Sequence, residues 1–140
     1  MADAVTTRTV GETAAQLVVH LTNISDGTGE SAVVKVDKST FFAPDAAEPA
    51  ALDIESVRWN VQGFTSVRLL WDHTADDTGL VLSGSGYDDF RGEDMERVPG
   101  LCALKDPRSA GGTGDIILTT AGAVSGATYD ITLVLRKQSD

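Results

Sequence analysis

The strongest constraint on this chain is a side-chain rhythm of two. In Gln16-Leu17-Val18-Val19-His20-Leu21-Thr22, the residues Leu17, Val19 and Leu21 fall on one side of an extended backbone. Ala32, Val34 and Val36 do the same, as do Val57, Trp59 and Val61, and Val67, Leu69 and Trp71. Near the end, Tyr129, Ile131, Leu133 and Leu135 alternate with Asp130, Thr132, Val134 and Arg136. Successive side chains of a strand point to opposite faces, so this alternation predicts half-buried strands; a helix would repeat about every 3.6 residues. Leu80 to Ser83 and Ile116 to Thr120 add two shorter strands, and Thr6 to Val10 a weak one.

Turn chemistry divides these runs. Asp26-Gly27-Thr28-Gly29, Gly63, Asp76-Asp77-Thr78-Gly79, Gly111 to Gly114 and Ser125-Gly126 sit between them. Glycine supplies positive φ, and Asp or Ser closes a turn with its side chain. About eight short antiparallel strands in one domain-sized chain predict an all-β fold, a jelly-roll-like β-sandwich, with an immunoglobulin-like sandwich as the alternative. The expected organisation is an N-terminal arm over 1–10, free to order on a partner, and one sandwich domain over 11–140. Phe41 to Asp53 reads as a crossing loop, with room for one short helical turn between Ala43 and Leu52. Tyr87 to Arg108 reads as a longer irregular stretch.

Charge narrows the function classes. Twenty-one acidic and eleven basic residues give a net charge of −10. Coating nucleic acid needs clustered Lys and Arg, so no nucleic-acid partner is expected. The start MADAVTTRTV has no apolar segment behind a basic one, and no apolar run approaches a bilayer span, so neither a secretory signal nor a membrane is expected. The single cysteine, Cys102, cannot form a disulfide within the chain and reads as a partly buried thiol.

The stretch LVLSGSGYDDFRG, residues 80–92, looks at first like a phosphate cradle. It lacks a third glycine and a following helix, so Gly84-Ser85-Gly86 reads as a bulge or tight bend. DHTADDTG and YDDFRGED do not fit a twelve-residue calcium loop. His20 and His73 lie too far apart in sequence for a cupin-type centre, and His20 should point away from the core. No nucleophile elbow is present, and nothing selects a catalytic pair among the carboxylates. No enzymatic activity, no metal and no cofactor are expected. Trp59 and Trp71 fall on predicted core faces.

Acid concentrates between Asp72 and Arg97, where eight acids face two bases, −6 of the total −10. Long loops on small β-domains often contact something. The candidate partner-contact residues are therefore Tyr87, Asp88, Asp89, Phe90, Arg91, Glu93 and Asp94, with Arg8 on the arm.

Five stretches carry a resemblance: LTNISDGTGESAVVKVD (21–37), LLWD (69–72), LSGSGYDDF (82–90), DPRSAGGTGDIILTT (106–120) and SGATYDITLVLRK (125–137). In this order they resemble a family of small virion structural proteins of tailed bacteriophages, especially phages of marine bacteria. The segment EDMERVPGLCAL after YDDFRG is longer and more acidic than the family's pattern. The resemblance implies a capsid decoration or cement subunit, made in the host cytoplasm, carried on the capsid surface of the virion and seated on the major capsid protein as a homotrimer. The alternatives are a neck, tail or fibre subunit, or a carbohydrate-binding adhesion module using Tyr87 and Phe90.

Overall fold

The longest alternating run in the sequence becomes the middle of the structure. The computed structural model describes residues 3–13, 15–41, 49, 51–73, 76–89 and 112–138. Among them are nine strands: β1 (Ala4–Glu12), β2 (Gln16–Asp26), β3 (Val33–Val36), β4 (Ala51–Gln62), β5 (Ser66–Trp71), β6 (Asp77–Leu82), β7 (Gly84–Asp89), β8 (Ile116–Ala121) and β9 (Ser125–Gln138). They form a five-stranded sheet, β1-β2-β9-β4-β7, and a four-stranded sheet, β3-β8-β5-β6, with every ladder antiparallel.

The pairing is nested. Strand β2 pairs with β9, β3 with β8, β4 with β7 and β5 with β6. This is one long hairpin rolled over on itself, and the β4·β9 and β5·β8 ladders close the roll. Such nesting defines a jelly roll and sets the fold apart from an immunoglobulin-like sandwich. Strand β1 lies outside the nest and extends the larger sheet beside β2.

The core follows the alternation except on β3, where a register break between Val34 and Val36 leaves Val34 exposed and turns Lys35 inward beside Val36. On β9, Ala127, Tyr129, Ile131, Leu133 and Leu135 are all buried, and Leu17, Val19 and Leu21 of β2 meet them. Leu69 and Leu118 close the core from the other sheet. Hiding each such leucine, isoleucine or valine side chain stabilises the fold by about 1.5–3 kcal/mol. Trp71 ties the layers together, its Nε1 donating to the Leu52 carbonyl at 2.9 Å.

Three expectations shift. Strand β1 runs across the expected arm boundary at residue 10, so residues 4–10 are part of the sheet. Strand β4 begins at Ala51, two residues before the expected crossing loop ends. A single helical turn forms at Lys38–Thr40, capped by Asp37, whose Oδ1 accepts from the Ser39 N–H at 3.0 Å. The short helical turn expected between Ala43 and Leu52 falls mostly outside the described residues. Tyr87, Asp88 and Asp89 belong to β7 rather than to an irregular stretch. The rest of that stretch, from Phe90 through Cys102 to Arg108, lies outside the described residues.

Candidate functional site

Strand β7 answers what the glycine pair does. Gly84 opens the strand at φ +62°, a left-handed conformation that favours glycine, just where the chain passes from the smaller sheet to the larger. Gly86 stands opposite Trp59, and a Cβ on it would lie 2.7 Å from the indole Cζ2. The ring lies across the bare backbone, with its Nε1 donating to the Ser83 carbonyl at 3.0 Å. Trp71 and Gly79 repeat the arrangement on the other sheet, with a built Cβ 2.9 Å from the indole. Gly86 and Gly79 are packing sites for tryptophan, and Gly84 serves the turn between the sheets.

Register then brings outward side chains together. Arg8 stands opposite His20, His20 opposite Thr132, Thr132 opposite Arg58, and Arg58 opposite Tyr87. These five residues form one row across the outer face of the larger sheet. The Arg58 guanidinium carbon lies 5.9 Å from the centre of the Tyr87 ring, in cation–π range. The Tyr87 hydroxyl donates to Asp89 Oδ2 at 3.1 Å. Tyr87 is 56% exposed. Ser56, Arg58, Tyr87, Thr132 and Val134 line a concavity of about 250 Å³.

The next row carries Thr6, Thr22, Asp130, Asn60 and Ser85. Asp130 Oδ1 lies 2.6 Å from His20 Nε2, which links the two rows. A wider depression of about 590 Å³ lies here, with Ala4, Thr22, Ile24, Asn60 and Asp130 in its lining. The face therefore offers an aromatic ring, two guanidinium groups, an imidazole–carboxylate pair and several hydroxyls. That chemistry suits docking through hydrogen bonds and stacking.

The structure separates the sequence-derived candidates. Tyr87 and Asp89 share the outer face, whereas Asp88, opposite Val57, is exposed on the other side of the same edge strand. Arg8 sits in the same row as Tyr87 but on the far edge strand, roughly 19 Å away at the usual strand spacing. Phe90, Arg91, Glu93 and Asp94 lie outside the described residues. Sequence reasoning missed Arg58, Ser56 and Thr132. Their signal was present, since Arg58 and Thr132 alternate with core residues, but no sequence spacing makes them neighbours of Tyr87.

Other ionisable groups are held inside the fold. Glu30 Oε1 accepts from the Tyr129 hydroxyl at 2.5 Å and from Asn23 Nδ2 at 2.7 Å, while Glu30 Oε2 lies 2.5 Å from Lys35 Nζ. Burial, and next the Glu30 carboxylate, push the Tyr129 hydroxyl well above the ordinary tyrosine range, so it remains a donor. Glu55, buried, accepts from Gln16 Nε2 and from Arg136 Nε, each at 3.2 Å. Lys137 Nζ donates to Glu12 Oε2 at 2.6 Å and to the Thr13 carbonyl at 2.7 Å. Among the described residues, no group of three or more His, Cys, Asp or Glu side chains is placed to hold a metal ion.

No family model matches the chain, and no curated protein matches it.

Proposed function

We propose that this chain is a structural subunit of a tailed-phage virion, a decoration or cement subunit that binds the major capsid protein on the outside of the shell. The observation that carries the reading is the division of its polar groups. Those inside the jelly roll are tied into fixed pairs such as Glu30–Lys35 and Glu30–Tyr129, while Arg8, Arg58 and Tyr87 stand outward on one sheet. A subunit whose task is placement needs such a scaffold, with its contact groups held on regular strands. The resemblance of the five sequence stretches supplies the location and the three-fold arrangement. The negative charge keeps free subunits apart until they meet their site.

Cryo-electron microscopy of the parent particle tests this. Density for the chain over the shell, in hundreds of copies, is the expected result. Density confined to the neck or tail, in a handful of copies, would replace the shell reading with the tail reading. A folded Arg58→Glu, Tyr87→Ala variant should be lost from purified particles.

A second reading rests on the concavity beside Tyr87. An exposed phenol ring with Ser56, Arg58 and Thr132 around it also fits a sugar ring. A glycan panel without a hit, and a Tyr87→Ala variant indistinguishable from the parent chain, would dispose of it.

A further inference from the structure

The two sheets have four edges, and one is unlike the rest. Strand β3 has four residues and a register break between Val34 and Val36. The six-residue β6 ladder is broken between Leu69 and Leu70 of its partner strand. Strand β7 has six residues, two of them glycine and two aspartate, with Asp88 on the inner side. Shortness, bulges and inward charges are the devices that keep sheet edges from pairing with other chains. Strand β1 has nine residues, and no carboxylate lies between Ala4 and Gly11. Its ladder with β2 is unbroken from Ala4 to Thr9 and breaks only near its end, between Thr9 and Gly11. Val5, Thr6, Thr7 and Thr9 have the β-branched side chains that favour strands.

This strand also contributes nothing to the core. All nine of its residues are exposed. Among the described residues, no strand pairs with its outer edge. Yet it is fixed at both ends. Asp3 accepts from Asn23 Nδ2 at 3.0 Å, Ser25 Oγ at 2.9 Å and the Gly29 N–H at 3.2 Å, and Glu12 holds Lys137 at 2.6 Å. An edge held in this way loses little conformational freedom when another strand is added.

We infer that the outer edge of β1 is an interaction surface for a second copy of this chain, whose β1 adds antiparallel about a two-fold axis through Thr6. The occupant follows from charge. Two copies carrying −10 each approach with least repulsion along the longest acid-free run on any of the four edges, residues 4–11, which also carries Arg8. The register follows from Arg8. An axis through Thr6 sets Thr6 against Thr6 of the second copy, Val5 against its Thr7, and Arg8 against its Ala4. The two arginines then stand roughly 14 Å apart along the strands, whereas an axis through Arg8 would place them face to face. The contact is small and weak by itself, and it gains strength where copies are already held side by side. In a shell it would join one trimer to the next. The inference rests on the edge and not on the shell reading. A tail location leaves it standing, and its failure leaves the shell reading standing.

The experiment uses the full chain with Cys102→Ser. Adding Thr6→Cys and oxidising at high chain concentration should give a two-chain species on a non-reducing gel, because directly opposed Cβ atoms lie about 4.5–5.5 Å apart. Val124→Cys, exposed at the β8–β9 turn, should not. In sedimentation the parent chain should associate more strongly as salt screens its charge. Val5→Lys with Thr7→Lys should weaken that association at least about tenfold with unchanged circular dichroism. Amide exchange over residues 4–9 of the parent chain should slow as its concentration rises. An absent Thr6→Cys dimer, equal cross-linking by Val124→Cys, unchanged association of the double-lysine variant, or exchange independent of concentration would each overturn the inference.

Discussion

At the end of the sandwich where β2 runs out, Lys35 and Glu30 meet with side chains 3% and 6% exposed. At the opposite end Lys137 is as deeply buried, at 1%, but its partner Glu12 is 39% exposed. Both ends continue the inward alternation of a strand beyond its apolar part. On β2 the inward series Leu17, Val19, Leu21 goes on to Asn23 and Ser25, both buried. On β9 the series Ile131, Leu133, Leu135 goes on to Lys137, buried too. The difference lies in where the countercharge sits. Glu30 is enclosed and saturated, its two oxygens meeting Tyr129, Asn23 and Lys35. Glu12 lies on an edge strand with water beside it. A closed pair stores a larger penalty for losing one member, because the survivor has no access to solvent.

Lys35→Met should break the comparison most strongly. It leaves the Glu30 carboxylate buried without its cation and should destabilise the chain by about 3–5 kcal/mol in urea titrations. Adding Glu30→Gln should restore much of that loss. A single variant as stable as the parent would show that water reaches this end, and the contrast between the ends would vanish. Lys137→Met should cost less, about 1–3 kcal/mol, since it strands the Thr13 carbonyl but leaves Glu12 solvated.

The smallest effect is that of pH at Asp3. Burial acts to raise its pKa, but the hydrogen bonds from Asn23, Ser25 and the Gly29 and Asp26 N–H groups outweigh it, and the value falls below the ordinary 3.8. A depressed carboxylate contributes stability that is complete above the ordinary value and fades as pH falls through the folded one. Asp3→Asn should therefore melt slightly below the parent at neutral pH, and the gap should close under strongly acidic conditions. A gap that widens with acid would reverse the assignment.

These two ends also mark how far the sequence could be read. Leu17 to Leu21 and Tyr129 to Leu135 announced their inner faces because apolar side chains recur every second position. Asn23, Ser25 and Lys137 keep the same period, but their polarity hides it. Strand β7 was obscured by Gly-Ser-Gly-Tyr-Asp-Asp, a composition with little intrinsic preference for strands. Pairing with β4 from Val61 to Ser56, and the Trp59 ring across Gly86, decide its conformation instead. At the candidate site, Tyr87 and Arg8 could be singled out as exposed and interactive. Their relation through His20, Thr132 and Arg58 could not.

What the sequence by itself determined is the two-sidedness of most strands, because in-and-out alternation is a local property of an extended backbone. Which strands become neighbours was decided only by the tertiary structure. Strand β2 meets β9 more than a hundred residues later, with His20 set beside Asp130, and no local preference encodes such a register. It is fixed when both sheets close over one shared core, since slipping a strand by one residue would turn its apolar side chains out into water.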